Sequence, residues 1–221
     1  AAERGVIVCG PQTDPGFAEA VGRLAERLQF PILADPLSQV RCGRHLLTAV
    51  IDRYDALLRV PSFVERAKPD VVLRFGGLPV SKPLLQYLSH FAGERQLVVD
   101  VTPIWSDPVF AAAEVLLADP ADLCRRLYEG VQEKLGTSLD RRKRSAWLAW
   151  RKAANRLARQ VIEREMADPV DDEPDGDDQG LLFEGRLFPE LARLLPEGSM
   201  LFAGNSMPVR DLDSFFPAMD K

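Results

Sequence analysis

The run Gly5-Val6-Ile7-Val8-Cys9-Gly10 decides how the rest of the chain is interpreted, because it is short, apolar and bounded by glycine. Such a run is typical of a strand buried on both faces of a sheet. Residues 16–28, which follow it, carry apolar side chains at helical spacing. The two patterns together predict a strand and the helix that leads to a parallel neighbour.

The same alternation continues through the first half of the chain. Further strands are predicted at residues 30–35, 71–75, 96–101 and 113–117, and further helices at residues 46–58 and 82–91. Strands that alternate with helices indicate a parallel sheet whose two faces are both covered. We therefore predict an α/β fold for residues 1–136, a Rossmann-like parallel sheet with helices on both faces.

A long basic helix is predicted after this sheet, beginning near Arg141-Arg142-Lys143-Arg144. An apolar stripe at three- and four-residue spacing indicates its packing face, formed by Trp147, Trp150, Ala154, Leu157 and Val161. Residues 168–178 are acidic and contain proline, which is typical of an exposed linker. Residues 137–179 are accordingly assigned to this helix and linker.

Residues 180–221 contain a predicted helix at 187–195 and an apolar run at 200–203 that predicts a strand. We interpret them as the incomplete beginning of a second α/β domain, and the chain as a fragment of a longer protein. A strand edge without a neighbour leaves backbone N–H and C=O groups open to another chain. Residues 201–216 are therefore expected to be poorly ordered or paired with another copy.

Composition excludes several classes of protein. The 221 residues are 46% hydrophobic and 28% charged, with a net charge of −5, which argues against a general nucleic-acid binder. No apolar run approaches the roughly 18 residues that span a bilayer, so stable membrane insertion is not expected. The three cysteines Cys9, Cys42 and Cys124 are widely spaced. They predict a reduced, cytoplasmic protein without structural zinc or another metal site.

The segment 204–211 favours the start of a helix that binds an anion. Gly204 permits a tight turn, Asn205 or Ser206 can cap the helix, and Pro208 is tolerated only near a helix start. Ser206 and Arg210 lie about one turn apart, so a hydroxyl and a guanidinium could close on one carboxylate.

Arg210 also has an ordinary structural interpretation. It could pair with Asp211 or Asp213, which are close along the same predicted helix. The spacing alone leaves both interpretations of Arg210 open.

The segment 74–83 joins the third predicted strand to its helix, and ligands of open α/β sheets gather at such carboxyl ends. Ser81 can cap the helix, and Lys82 lies near its start, where the helix dipole disfavours a cation. A cation at such a position often binds an anionic ligand, although Lys82 could equally extend into water. The loop 9–16 lacks the G-x-G-x-x-G spacing, which argues against dinucleotide binding.

These two motifs carry a family resemblance. Leu201-Phe202-Ala203-Gly204-Asn205-Ser206-Met207-Pro208-Val209-Arg210-Asp211 and Arg74-Phe75-Gly76-Gly77-Leu78-Pro79-Val80-Ser81-Lys82 resemble segments of the 2-succinyl-5-enolpyruvyl-6-hydroxy-3-cyclohexene-1-carboxylate synthases. These are thiamine diphosphate enzymes of menaquinone biosynthesis. Asp100-Val101-Thr102 and Trp105-Ser106-Asp107-Pro108 resemble the sequence between those segments, so the similarity extends over the whole chain.

The resemblance implies a three-domain enzyme of which this chain is the central domain, the linker and the start of the C-terminal diphosphate-binding domain. The implied reaction decarboxylates 2-oxoglutarate on thiamine diphosphate with Mg²⁺ and adds the succinyl unit to isochorismate. The parent protein is expected to be a homodimer or homotetramer. The main cofactor motifs are expected outside this chain, so the chain alone is expected to be inactive.

The resemblance also implies roles for individual residues. Ser206 and Arg210 would hold the succinyl carboxylate, and Lys82 would reach a carboxylate or hydroxyl of isochorismate. Asn205 and Arg74 would support these contacts. No catalytic residue is assigned within the chain.

Two functions of other classes stay open on the sequence. The chain could be a non-catalytic regulatory domain that binds a small aromatic or dicarboxylic acid at the carboxyl edge of the sheet. It could also be a structural spacer that helps its parent to dimerise.

Overall fold

The computed structural model describes residues 2–102, 107–134, 138–167 and 183–221. Five strands form one parallel sheet in the order β2-β1-β3-β4-β5, with bounds β1 Gly5–Cys9, β2 Ile32–Ala34, β3 Val71–Phe75, β4 Arg95–Asp100 and β5 Glu114–Leu117. The helices are α1 Phe17–Leu28, α2 Tyr54–Leu58, α3 Pro61–Arg66, α4 Lys82–His90, α5 Pro120–Lys134, α6 Ser138–Ala167, α7 Leu187–Leu194 and α8 Met207–Phe215.

Helices cover both faces of this sheet, as the sequence predicts. Ile7 and Cys9 of β1 lie in a core with α1 and α5, whereas Val6 and Val8 lie in a second core with α2, α4 and α6. Successive side chains of a strand point to opposite faces, so a continuous apolar run fills both cores at once. The predicted α/β fold is confirmed.

The loops that follow β1 and β3 touch at two glycines. A Cβ atom on Gly10 would lie 1.8 Å from the carbonyl oxygen of Gly77. The backbone N–H of Gly77 donates to the carbonyl of Pro11 at 3.1 Å. This contact brings the segment before α4 down onto the end of β1, and so positions the start of α4.

The helix predicted at residues 46–58 is wrong over most of its length, because only α2, at its end, is helical. The preceding residues run beside β2 instead. The N–H of Ile32 donates to the Ala49 carbonyl and the N–H of Ile51 donates to the Ile32 carbonyl, both at 2.8 Å. Because β2 is the edge strand, these bonds satisfy backbone groups that a helix would have left open.

The long helix α6 packs against the sheet domain, but its buried face differs from the predicted stripe. Trp147 is buried and its indole N–H donates to the Gly5 carbonyl at 2.9 Å. Leu157 and Val161 are instead 62% and 45% exposed. The buried face continues through Arg151 and Asn155. One terminal nitrogen of Arg151 donates to the Ala67 carbonyl, and the Asn155 amide donates to Asp52. The acidic linker at 168–178 lies outside the described residues.

The predicted strand at 200–203 does not form, and Met200 and Phe202 are each 93% exposed. A strand needs a hydrogen-bonded neighbour, and no described strand lies beside this segment. Within the chain, α8 packs in a small core with α7. The expectation that residues 201–216 are poorly ordered or paired with another copy stays a prediction. Within the described ranges, every helix is too short or too polar to cross a bilayer.

Candidate anion-binding cleft

A cleft of about 840 Å³ lies among α2, α3, α4 and α8. Lys82 and Arg210, far apart in sequence, both line it. The two cations predicted from separate motifs therefore face one space.

Lys82 is the first residue of α4 and is exposed. The helix starts there because Ser81 accepts the Leu84 N–H at 3.1 Å and Pro83 follows in the first turn. The Ser81 hydroxyl also donates to the Asp55 carboxylate at 2.7 Å. Lys82 itself makes no ion pair with any described residue, so its charge is turned to the cleft and solvent.

Arg210 lies in the first turn of α8 and is exposed. The alternative pairing with Asp211 or Asp213 is not formed; across the described ranges, Arg210 has no ion-pair partner. The Asp213 carboxylate is taken up by other groups. Arg210 is therefore a second uncompensated cation at the cleft.

A buried cluster holds α8 in place against the sheet. Asp213 accepts hydrogen bonds from the guanidinium of Arg41 and, at 2.8 Å, from the hydroxyl of Tyr54. Arg41 also donates to the carbonyls of Ala34 at 2.7 Å and of Asp213 at 2.8 Å. Burial raises the pKa of Asp213 to about 7, against the opposing effect of the Arg41 charge.

A second set of contacts joins α8 to α6. Arg53 donates to the Ser214 carbonyl at 2.9 Å, and its backbone N–H donates to Asn155 at 2.9 Å. Burial lowers the pKa of Arg53 to about 10. Although burial opposes it, the charges of Arg53 and Arg159 hold the pKa of Asp52 below its usual value. Arg210 thus stands on a helix anchored at both sides.

Ser206 and Asn205 lie outside the lining of this cleft, and both are exposed. Ser206 is the N-cap residue of α8, but its side chain makes no capping bond and its φ is +73°. A positive φ is uncommon for serine and carries a strain of about 1–3 kcal/mol. In this structure the Ser206 hydroxyl and Arg210 do not converge on one space.

Arg74 also lies away from the cleft. It is buried in β3, and its guanidinium pairs with Asp107 at 2.7 Å. The other carboxylate oxygen of Asp107 accepts the Ala112 N–H at 2.7 Å. Arg74 therefore braces the segment between β4 and β5, a role that its position in the motif did not indicate.

Sequence reasoning missed that Arg41, Tyr54 and Asp213 position α8, since it considered Asp213 only as a partner of Arg210. No local signal could have found them, because Arg41 and Asp213 are 172 residues apart. Each looks like an ordinary surface residue in its own segment.

Among the residues that the structure describes, no three His, Cys, Asp or Glu side chains converge to hold a metal ion. All three cysteines are free thiols, and burial raises the pKa of Cys124 to about 12. The described residues therefore offer no such cluster to Mg²⁺, and we assign no metal ligand to them.

The amino-acid sequence is similar to those of known enzymes over its whole length. The 2-succinyl-5-enolpyruvyl-6-hydroxy-3-cyclohexene-1-carboxylate synthases of Geobacillus kaustophilus and Geobacillus thermodenitrificans are each 48% identical over all 221 residues. The synthase of Listeria monocytogenes is 38% identical over 99% of this chain. The chain covers 35%, 34% and 35% of these relatives, about a third of their length.

This similarity confirms the resemblance carried by the motifs at 74–82 and 201–211. A family model for the middle domain of thiamine pyrophosphate enzymes matches residues 1–174, most of the chain. The chain belongs to this family of thiamine pyrophosphate enzyme middle domains.

Proposed function

We propose that this chain is part of a 2-succinyl-5-enolpyruvyl-6-hydroxy-3-cyclohexene-1-carboxylate synthase of menaquinone biosynthesis. The parent would be a transferase that decarboxylates 2-oxoglutarate and adds the succinyl unit to isochorismate. The names of the relatives support this proposal. The parent would be a cytoplasmic homodimer or homotetramer that uses thiamine diphosphate and Mg²⁺.

One observation carries the proposal at the level of the site: Lys82 and Arg210 are uncompensated cations that line one cleft. Both proposed substrates carry carboxylates, which guanidinium and ammonium groups bind through charge-assisted hydrogen bonds. We assign Arg210 to the succinyl carboxylate and Lys82 to a carboxylate or hydroxyl of isochorismate. In the parent, Ser206 would join Arg210 at the succinyl carboxylate with Asn205 in support, although neither Ser206 nor Asn205 lines the cleft in this chain.

The contribution of this chain would be to bind and orient substrates. Thiamine diphosphate supplies the carbanion chemistry in such enzymes, and protein groups position the reactants. We propose that residues 1–136 form the central domain, 137–179 the helix and linker, and 180–221 the start of the diphosphate-binding domain. The isolated chain would then be inactive.

The test uses the full-length parent with both substrates, thiamine diphosphate and Mg²⁺. Arg210→Ala should lower kcat/KM for carbon dioxide release by about 10- to 100-fold, the effect of losing a hydrogen bond between charged groups. Lys82→Met should leave carbon dioxide release intact and lower the formation of the isochorismate adduct by a similar factor.

Arg156→Ala is the matched control, because Arg156 is exposed on α6 and lies outside the cleft. It should leave both readouts unchanged. A folded, cofactor-bound parent that releases no carbon dioxide from 2-oxoglutarate would overturn the proposed reaction. Unchanged kinetics in both cleft variants would overturn the roles of Lys82 and Arg210.

A further inference from the structure

A second cavity, of about 490 Å³, lies on the opposite face of the sheet. Leu73 of β3 and Leu97 of β4 form its floor, and Leu127 of α5 lies in its wall. Apart from Arg95 and Arg144, every side chain that lines it is apolar. This volume falls within the range of about 300–1,000 Å³ that is typical of small-molecule sites.

Arg144 is the unusual member of this lining. It is only 4% exposed, yet its Nε atom has no hydrogen-bond partner. The guanidinium forms no ion pair with any residue that the structure describes. Its neighbour Lys143, in contrast, pairs with Glu3 at 2.6 Å.

The buried guanidinium of Arg144, which has no ion-pair partner among the described residues, would be stabilised by a bound anion. Arginine does not lose its proton in proteins, so burial cannot neutralise it as it can a lysine or a carboxyl group. A buried charge is costly unless it is paired and hydrogen-bonded. Arg95 does not compensate it, because it is itself a cation with an exposed ion pair to Glu114 at 3.5 Å.

We propose that this cavity binds a small amphipathic monoanion. Its carboxylate or sulfonate would pair with Arg144, and its apolar body would lie against Leu73 and Leu97. A second anionic group on the ligand would meet apolar walls or Arg95, which is exposed and already paired with Glu114. The site therefore selects monocarboxylates and rejects short dicarboxylates such as succinate.

This site is independent of the cleft that holds Lys82 and Arg210. The two cavities share no lining residue and lie on opposite faces of the sheet. Binding here does not require the proposed synthase activity. It can be measured without turnover.

The experiment is calorimetric titration of the full-length protein with octanoate, 1-octanol and succinate. Octanoate should bind at least tenfold more tightly than 1-octanol, because only octanoate supplies the anion, and succinate should not compete. Arg144→Met should weaken octanoate by at least tenfold and leave 1-octanol unchanged. Arg142→Met, an exposed arginine at the same end of α6, should change neither.

Leu97→Trp keeps the test decisive if Arg144→Met does not fold. It fills the cavity from β4 and should abolish binding of both octanoate and 1-octanol while Arg144 is retained. Unchanged octanoate affinity in either folded variant overturns the proposal. So does equal affinity for octanoate and 1-octanol, or competition by succinate.

Discussion

Asp213 is a buried carboxylate whose charge state depends on burial and on Arg41 in opposite directions. Burial raises its pKa to about 7 in spite of the Arg41 charge, and Asp35 adds to the upward shift. Arg41 also donates to backbone carbonyls. It can therefore stay charged when Asp213 takes up a proton.

This pKa predicts that folding stability falls as pH rises through about 7. In the unfolded chain the pKa of Asp213 is near 3.8. Between about pH 4 and 7 the folded state therefore holds a proton on Asp213 that the unfolded state has lost. The stabilisation is complete below pH 4 and is lost above pH 7. Urea unfolding of this chain at pH 5 and pH 8 should show a lower free energy of unfolding at pH 8.

Asp213→Asn is the control for this pH dependence, since it cannot titrate. Its free energy of unfolding should change less between pH 5 and pH 8 than that of the wild type. The groups that face Asp213 are Arg41, Tyr54, Asp35 and Asp55. If the variant keeps the full pH dependence, another of these groups is responsible.

At the scale of elements, the close approach of two strand-to-helix loops holds the segment before α4 against the end of β1. Gly10 ends β1 and meets the Gly77 carbonyl, so that position has no room for a side chain. Gly130 of α5, in contrast, has nothing within 4 Å of where a Cβ would lie. Only the position of Gly10 therefore requires glycine, and Gly130 serves as the comparison.

We predict that Gly10→Ala lowers the free energy of unfolding by about 1–3 kcal/mol, because the Cβ would overlap backbone atoms that cannot move aside. Gly130→Ala should raise it by about 0.5–1 kcal/mol, since alanine is the better helix former. Denaturant melts of both variants measure this. Equal effects of the two changes would contradict the account of the loop contact.

Elements differ in how well the sequence predicts them. The five strands follow their apolar runs, because a strand buried on both faces has nearly every side chain in a core. The segment 46–53 shows apolar residues at helical spacing, yet residues 49–51 within it pair with Ile32 of β2, an edge strand. The need of an edge strand for backbone partners, which is a tertiary effect, outweighed the local pattern.

At the scale of the whole molecule, residues 183–221 are held to the sheet domain by a few buried and partly buried polar contacts. The pair of Arg41 and Asp213 is buried, whereas the pair of Arg44 and Glu197 at 2.6 Å links the same parts at the surface. Breaking a buried pair from one side costs about 3–5 kcal/mol, but an exposed pair contributes only about 0–1 kcal/mol. The buried pair therefore decides whether α8 stays docked.

Arg41→Met should release α8 and expose the peptide bond after Arg210 to trypsin. Limited proteolysis of the folded chain, followed by mass spectrometry, should show cleavage there at least tenfold faster than in the wild type. Arg44→Met, the surface control, should be cleaved at the wild-type rate. Equal protection of Arg210 in both variants would show that other contacts hold α8.

The sequence by itself determined the parallel α/β sheet, the starts of α4 and α8, and the two motifs that contain Lys82 and Arg210. These features depend on local properties such as apolar runs, capping residues and proline positions. Only the tertiary structure decided that Lys82 and Arg210 line one cleft and that Arg74 is held in a buried ion pair. It also decided that Arg144 is buried with no ion-pair partner among the described residues. Each of these depends on contacts between residues far apart in the chain, which local patterns do not encode.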